Sequence, residues 1–133
     1  MQDRPTYHEL LAALERFLED ELRPTLEGAA RFNTRVAANT LRILRRELEH
    51  EDEQLAAEWA GLDGLLGPAE RPAGRAALRE ALHQRNEQLC QRIRSGDADV
   101  DPFRAAVLAH VRRTVRDKLL VTNPAWLGPR QGG

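Results

Sequence analysis

Of the twenty basic residues in this 133-residue chain a single one, Lys118, is lysine; there is one cysteine, and aromatic residues make up only 5%. The lone Cys90 excludes an internal disulfide framework and any multi-cysteine zinc site. It reads as a small residue on a helix surface or seam. So few aromatics leave no platform for stacking bases. Twenty basic against twenty-one acidic residues give a net charge of −1, hence no global field to recruit nucleic acid. No apolar run approaches the ~20 residues needed to cross a bilayer, and no basic segment followed by an apolar stretch marks a secretory signal. A cytoplasmic protein without membrane contact is the expectation. Phosphate loops, Gly-rich nucleotide fingerprints, HExxH and GxSxG are absent as well, so no motif commits the chain to a reaction. Neither a cofactor nor a metal site is expected, and the balance leans away from an enzyme.

What is present is helical periodicity. Hydrophobic residues make up 41% and charged residues 31% of the chain, a mixture that suits amphipathic helices with solvated faces. A first helix starts at Thr6, with Glu9 completing a capping box, and carries Tyr7, Leu10, Leu14, Phe17 and Leu18 on one face. Pro24 and Gly28 end it. A second runs from about Ala29 to Glu49. Its apolar arc is wide, with Phe32, Val36 and Ile43 in one direction and Ala37, Leu41, Leu44 and Leu48 in another, which predicts a central helix with neighbours on two sides. The charged run His50 to Glu53 fits either a break or one continuous long helix, with two helices preferred, and Leu55, Trp59, Leu62 and Leu66 then resume the pattern. Gly67 to Gly74 reads as a loop. A helix from Arg75 to Arg94 carries Leu78, Leu82, Leu89 and Ile93. Asp101 as N-cap and Pro102 as first residue open a last helix with Phe103, Val107, Val111 and Val115 inward, ending near Val121. The fold class is therefore all-α, a bundle of four to five helices, with residues 1–123 one domain and 124–133 a loose tail.

Some polar residues interrupt the apolar arcs. Lys118 projects between Val111 and Val115, Glu47 lies within the arc of the second helix, Asn39 sits at its edge between Arg35 and Arg46, and Arg85 shares a face with Leu82 and Leu89. Long basic side chains can lie along apolar surface with the charge in water, the ordinary reading for Lys118 and Arg85. The sharper reading gathers Arg35, Asn39, Arg46, Glu47, Lys118 and Asn123 into a ligand-binding or buried polar cluster, in which a desolvated lysine would be activated. The arginines at 31, 35, 42 and 46 suit a phosphate or carboxylate, or the acidic face of the first helix, with Glu9, Glu15, Glu19 and Asp20. Glu47-x-x-His50 and Glu80-x-x-His83 have the spacing of a carboxylate-bundle metal motif, but the inner face of the helix holding the second is already occupied by leucines.

Arg35-Val-Ala-Ala-Asn39, Leu44-Arg-Arg-Glu-Leu48, the opening Arg4-Pro5-Thr6 with Glu9-Leu10-Leu11, and Asp117-Lys118-Leu119 with Asn123-Pro124 together resemble an uncharacterised bacterial family, a domain of unknown function. Such proteins are often encoded beside aminoglycoside-phosphotransferase-like kinases and acyl-CoA dehydrogenases. The resemblance implies an accessory role beside such a kinase or dehydrogenase, and carries no catalytic residue with it. A helix surface of Leu41, Leu44 and Leu48 left uncovered would favour an interaction protein, and a self-complementary patch would make a homodimer. The alternative is a small ligand-binding or catalytic bundle with a polar pocket around Lys118, Asn39 and Glu47.

Overall fold

A computed structural model describes residues 4–128. It consists of helices α1 (Tyr7–Arg16), α2 (Gly28–Leu66), α3 (Arg75–Arg94) and α4 (Phe103–Thr122) joined by short turns, with no strand among the described residues. The all-α bundle follows from the periodicity. By its internal contacts the chain divides into two compact units, Met1–Glu49 and His50–Gly133.

In the first unit the capping box forms as its sequence requires. The Thr6 backbone N–H donates to Glu9 Oε2 at 2.7 Å and the Glu9 N–H donates to Thr6 Oγ1 at 3.3 Å. α1 widens into a π-helical turn at Phe17–Leu22 and ends in a 3-10 turn, Arg23–Thr25, where Pro24 prevents further helix. The chain then reverses into α2. Glu15 fixes the antiparallel register, accepting from Arg42 Nε at 2.8 Å and Arg45 Nη1 at 2.6 Å, while Glu19 lies 3.7 Å from Arg42. Arg42 of the expected arginine stripe, with Arg45 beside it, thus meets the acidic residues Glu15 and Glu19. Leu11, Leu18, Leu22 and Leu41 are partly buried along this seam, and Ala38 is the only described residue of the unit that is fully buried.

The second unit has a real core, built from Trp59, Leu62, Leu65, Leu78, Leu82, Leu89 and Val107. The break expected at His50–Glu53 is absent, and α2 runs unbroken through it. The reason lies on α3. Its first turns supply Arg75 and Arg79, which pair with Glu51, and Arg75 also grips Asp52 at 2.9 Å. Charges that read as a solvated interruption are instead held by partners. Gly67, with φ of 91°, ends α2, and Gly96, with φ of 92°, follows α3, each in the left-handed region that closes a helix.

Two further expectations for α4 are corrected. Pro102 is the cap and Phe103 the first helical residue, while the Asp101 carboxylate takes Arg104 at 2.7 Å rather than a backbone N–H. The inward face is Val107, His110 and Val121, with Phe103 partly buried; Val111 and Val115 point out. The reason is a notch in α2 at Gly61, against which the His110 imidazole lies. That contact sets the rotation of α4 about its axis. Beyond Asn123, Pro124–Leu127 forms a 3-10 turn with Trp126 exposed, and residues 129–133 of the expected loose tail lie outside the described residues.

Candidate functional site

Arg85, expected to reach solvent along an apolar face, is buried and fully engaged. Its guanidinium lies 4.6 Å from the centre of the Trp59 ring, donates to the carbonyls of Leu62 at 3.2 Å and Gly67 at 2.6 Å, and pairs with Asp63. Two turns on, Arg92 donates to the Leu65 carbonyl at 2.8 Å and covers the Phe103 ring at 4.2 Å. Both close the C-terminal carbonyls of α2, where a helix concentrates negative partial charge. Only a planar, forked cation both stacks on a ring and binds several acceptors, which accounts for arginine at these positions. They are structural, and the interior has no charge left over from them for chemistry.

His110 is the buried titratable group that sequence reading missed. Burial lowers its pKa from the usual 6.5, opposed by the nearby Glu58 carboxylate and reinforced by Arg113. A β-carbon at Gly61 would lie 2.4 Å from His110 Nδ1, so glycine there is a packing requirement. The clue available in sequence was the 107, 110, 114, 121 spacing, a second helical stripe on α4 that the valines obscured.

The expected polar cluster is only partly assembled. Arg35 and Asn39, both exposed, line one depression of about 330 Å³ on the first unit with Phe32, Val36, Thr40 and Arg42. Arg46 is partly buried and Glu47 is exposed. Lys118 and Asn123 belong to the second unit and are both exposed. Lys118 therefore shares the outward side of α4 with Val111 and Val115, and its place among valines needs no buried partner. Asn123 closes α4 with its backbone, its N–H donating to the Leu119 carbonyl at 2.8 Å. Neither Glu-x-x-His pair forms a donor set: Glu80 and His83 are exposed, and no group of three or more potential metal ligands occurs among the described residues.

The outward side of α4 is the second unit's most distinctive surface. Leu108, Val111 and Val115 follow one another at helical spacing and are all exposed. Arg104, Arg112 and Arg116 border them, and neither Arg112 nor Arg116 has a partner among the described residues. An apolar strip edged by Arg112 and Arg116, unpaired among the described residues, suits an apolar surface edged with carboxylates.

A family model described as a domain of unknown function, DUF6285, matches residues 24–126. The chain belongs to this family. The DUF6285 match takes in α2, α3, α4 and the turns between them and leaves α1 outside it. No curated protein and no solved structure matches the chain. Among the described residues, no helix is long and apolar enough to cross a membrane.

Proposed function

We propose that this protein is a non-enzymatic accessory protein that binds a partner enzyme through the outward face of α4. The observation that carries the reading is the strip Leu108, Val111 and Val115, exposed and edged by Arg112 and Arg116. A helix face of this kind docks into an apolar groove, with i, i+3 and i+7 anchors entering it and the arginines meeting carboxylates on the rim. The partner is an enzyme of phosphotransferase-linked or acyl-CoA-related metabolism. That choice rests on the family resemblance, whose members are encoded beside aminoglycoside-phosphotransferase-like kinases and acyl-CoA dehydrogenases. The test is co-expression of the tagged chain with each such enzyme from its own locus. Stoichiometric recovery that is lost in the Val111→Glu/Val115→Glu variant supports the reading; recovery of the chain alone, or a variant that binds as well, overturns it.

A second reading keeps the ligand-binding alternative, now centred on Arg35 and Asn39. Their depression offers guanidinium and amide donors beside Phe32 and Val36, which suits a small carboxylate or phosphate carrying an apolar group. Calorimetric titration with acyl phosphates and acyl-CoA tests it, with Arg35→Ala abolishing the heat if the reading holds.

A further inference from the structure

We propose that the first unit is a dimerisation module, in which the α1–α2 hairpin pairs face to face with that of a second copy to complete a four-helix bundle. On α1 and the start of its π-helical turn, Leu10, Leu14 and Phe17 follow at spacings of four and three, and on α2, Leu44 and Leu48 lie one turn apart. All are between 40% and 53% exposed. The Glu15 ion pairs set Leu14 level with Leu44, and Leu10 level with Leu48. At about 100° per residue, the α1 stripe lies roughly a quarter-turn from the side facing α2, and the α2 leucines lie about the same rotation from the side facing α1, in the same sense. In an antiparallel pair, equal rotations of the same sense point to one side. The two stripes therefore form one apolar face.

A second copy is the occupant this face fits. Ala13 on α1 and Ala37 and Thr40 on α2 flank the stripes, and exposed Glu47 lies at the same edge as Thr40. A two-fold dimer sets the same patch against itself, with Glu47 at the solvated rim of the face. Together with Tyr7, these side chains expose about 500 Å² of apolar surface per copy, a size that marks interaction sites. Complete burial of both patches would remove about 1,000 Å², the floor for a specific interface. Among its described residues Ala38 alone is fully buried, and two hairpins stacked face to face are the smallest closed layer that supplies a core. The outward face of α4 takes no part, so the proposal stands independently of the partner-enzyme reading.

Sedimentation velocity of the full chain between ~1 and ~100 µM tests it, together with a Leu14→Glu/Leu44→Glu variant. The wild type is expected to sediment as a dimer in the upper part of this range. The variant is expected to be monomeric, with its dimer Kd raised at least a hundredfold, while keeping the Trp59 environment of the second unit by near-UV circular dichroism. A second variant, Phe32→Glu/Val36→Glu, changes apolar residues of α2 outside this face and should leave the dimer intact. A wild type monomeric at ~100 µM, a Leu14→Glu/Leu44→Glu variant still dimeric, or a dimer dispersed by the Phe32/Val36 changes each overturns the proposal. Loss of kinase or dehydrogenase recovery with the dimer retained strikes only the partner reading.

Discussion

The two halves of α2 carry similar apolar arcs and meet opposite surroundings. From His50 to Leu66 the helix is covered on one side by α3, through Glu51 with Arg79, Asn86 with Glu58 and Arg85 with Asp63. On another side it meets α4, through Gln54 with the Asp117 carbonyl and Gly61 with His110. From Gly28 to Glu49 its own unit offers it α1 alone, and Phe32, Val36, Leu44 and Leu48 stay exposed. The width of an apolar arc thus tells how much surface a helix must cover. It does not tell whether the cover comes from the same chain. Where the chain supplies it, a core forms around Trp59 and Leu62; where it does not, a second molecule is the natural source.

The largest test of that contrast is Arg85. Substitution by Met keeps the volume and the stacking on Trp59 but leaves Asp63 and the Leu62 and Gly67 carbonyls without their donor. Removing one member of so buried a set costs about 3 kcal/mol, read as a lower urea midpoint with Trp fluorescence. Lysine should restore only part, because it lacks the fork. If Arg85→Met melts like the wild type, the second unit does not depend on this clamp, and its difference from the first is one of apolar burial alone.

A sharper comparison sits on α2 itself, at two glycines three residues apart. Alanine at Gly61 meets the buried His110 ring and should destabilise by about 1–3 kcal/mol, overcoming its better helix propensity. Alanine at Gly64 meets nothing within 4 Å and should stabilise by about 0.5–1 kcal/mol. Thermal melts of the two variants should move in opposite directions. Equal shifts would mean that α4 does not press on α2 at Gly61.

His110 adds a pH dependence to the same contact. Its folded pKa is depressed below 6.5, so the unfolded chain takes up the proton more readily than the folded one. Stability from this group is complete above pH 6.5 and declines as the pH falls below it, with Glu58 softening and Arg113 strengthening the effect. The melting temperature should fall as the pH drops through 6.5 and below. A His110→Gln variant should lose that slope; a slope that persists in it belongs to another group.

Much of the fold was legible because helix signals are local. The Thr6–Glu9 capping box, the α3 limits at Arg75 and Arg94, and the end of α4 at Asn123 all depend on neighbours within one turn. What misled was decided by distant partners. The His50–Glu53 charges look like a break until Arg75 and Arg79 arrive from α3. Val111 and Val115 look like core until the Gly61 notch turns His110 inward. For the site, Arg35 and Asn39 do share one depression, as helix projection predicts for residues four apart. Lys118 was singled out because it interrupts valines, and those valines prove to be surface. A polar residue among apolar ones signals a site only where the apolar ones are buried.

The smallest expected effect lies in the seam of the first unit. Glu15 binds Arg42 and Arg45 at once, and all three side chains retain some exposure, so solvent screens the pairs. Glu15→Gln should cost about 0.5–1 kcal/mol, and ~1 M salt should remove most of that difference from the wild type. The dimer should survive, because the apolar face and not the ion pair closes it. A loss much larger than this would mean that Glu15 does more than set the register of α1 on α2. In a unit whose only fully buried described residue is Ala38, the seam would then hold the hairpin together, and the contrast with the second unit would be one between an ionic and an apolar core.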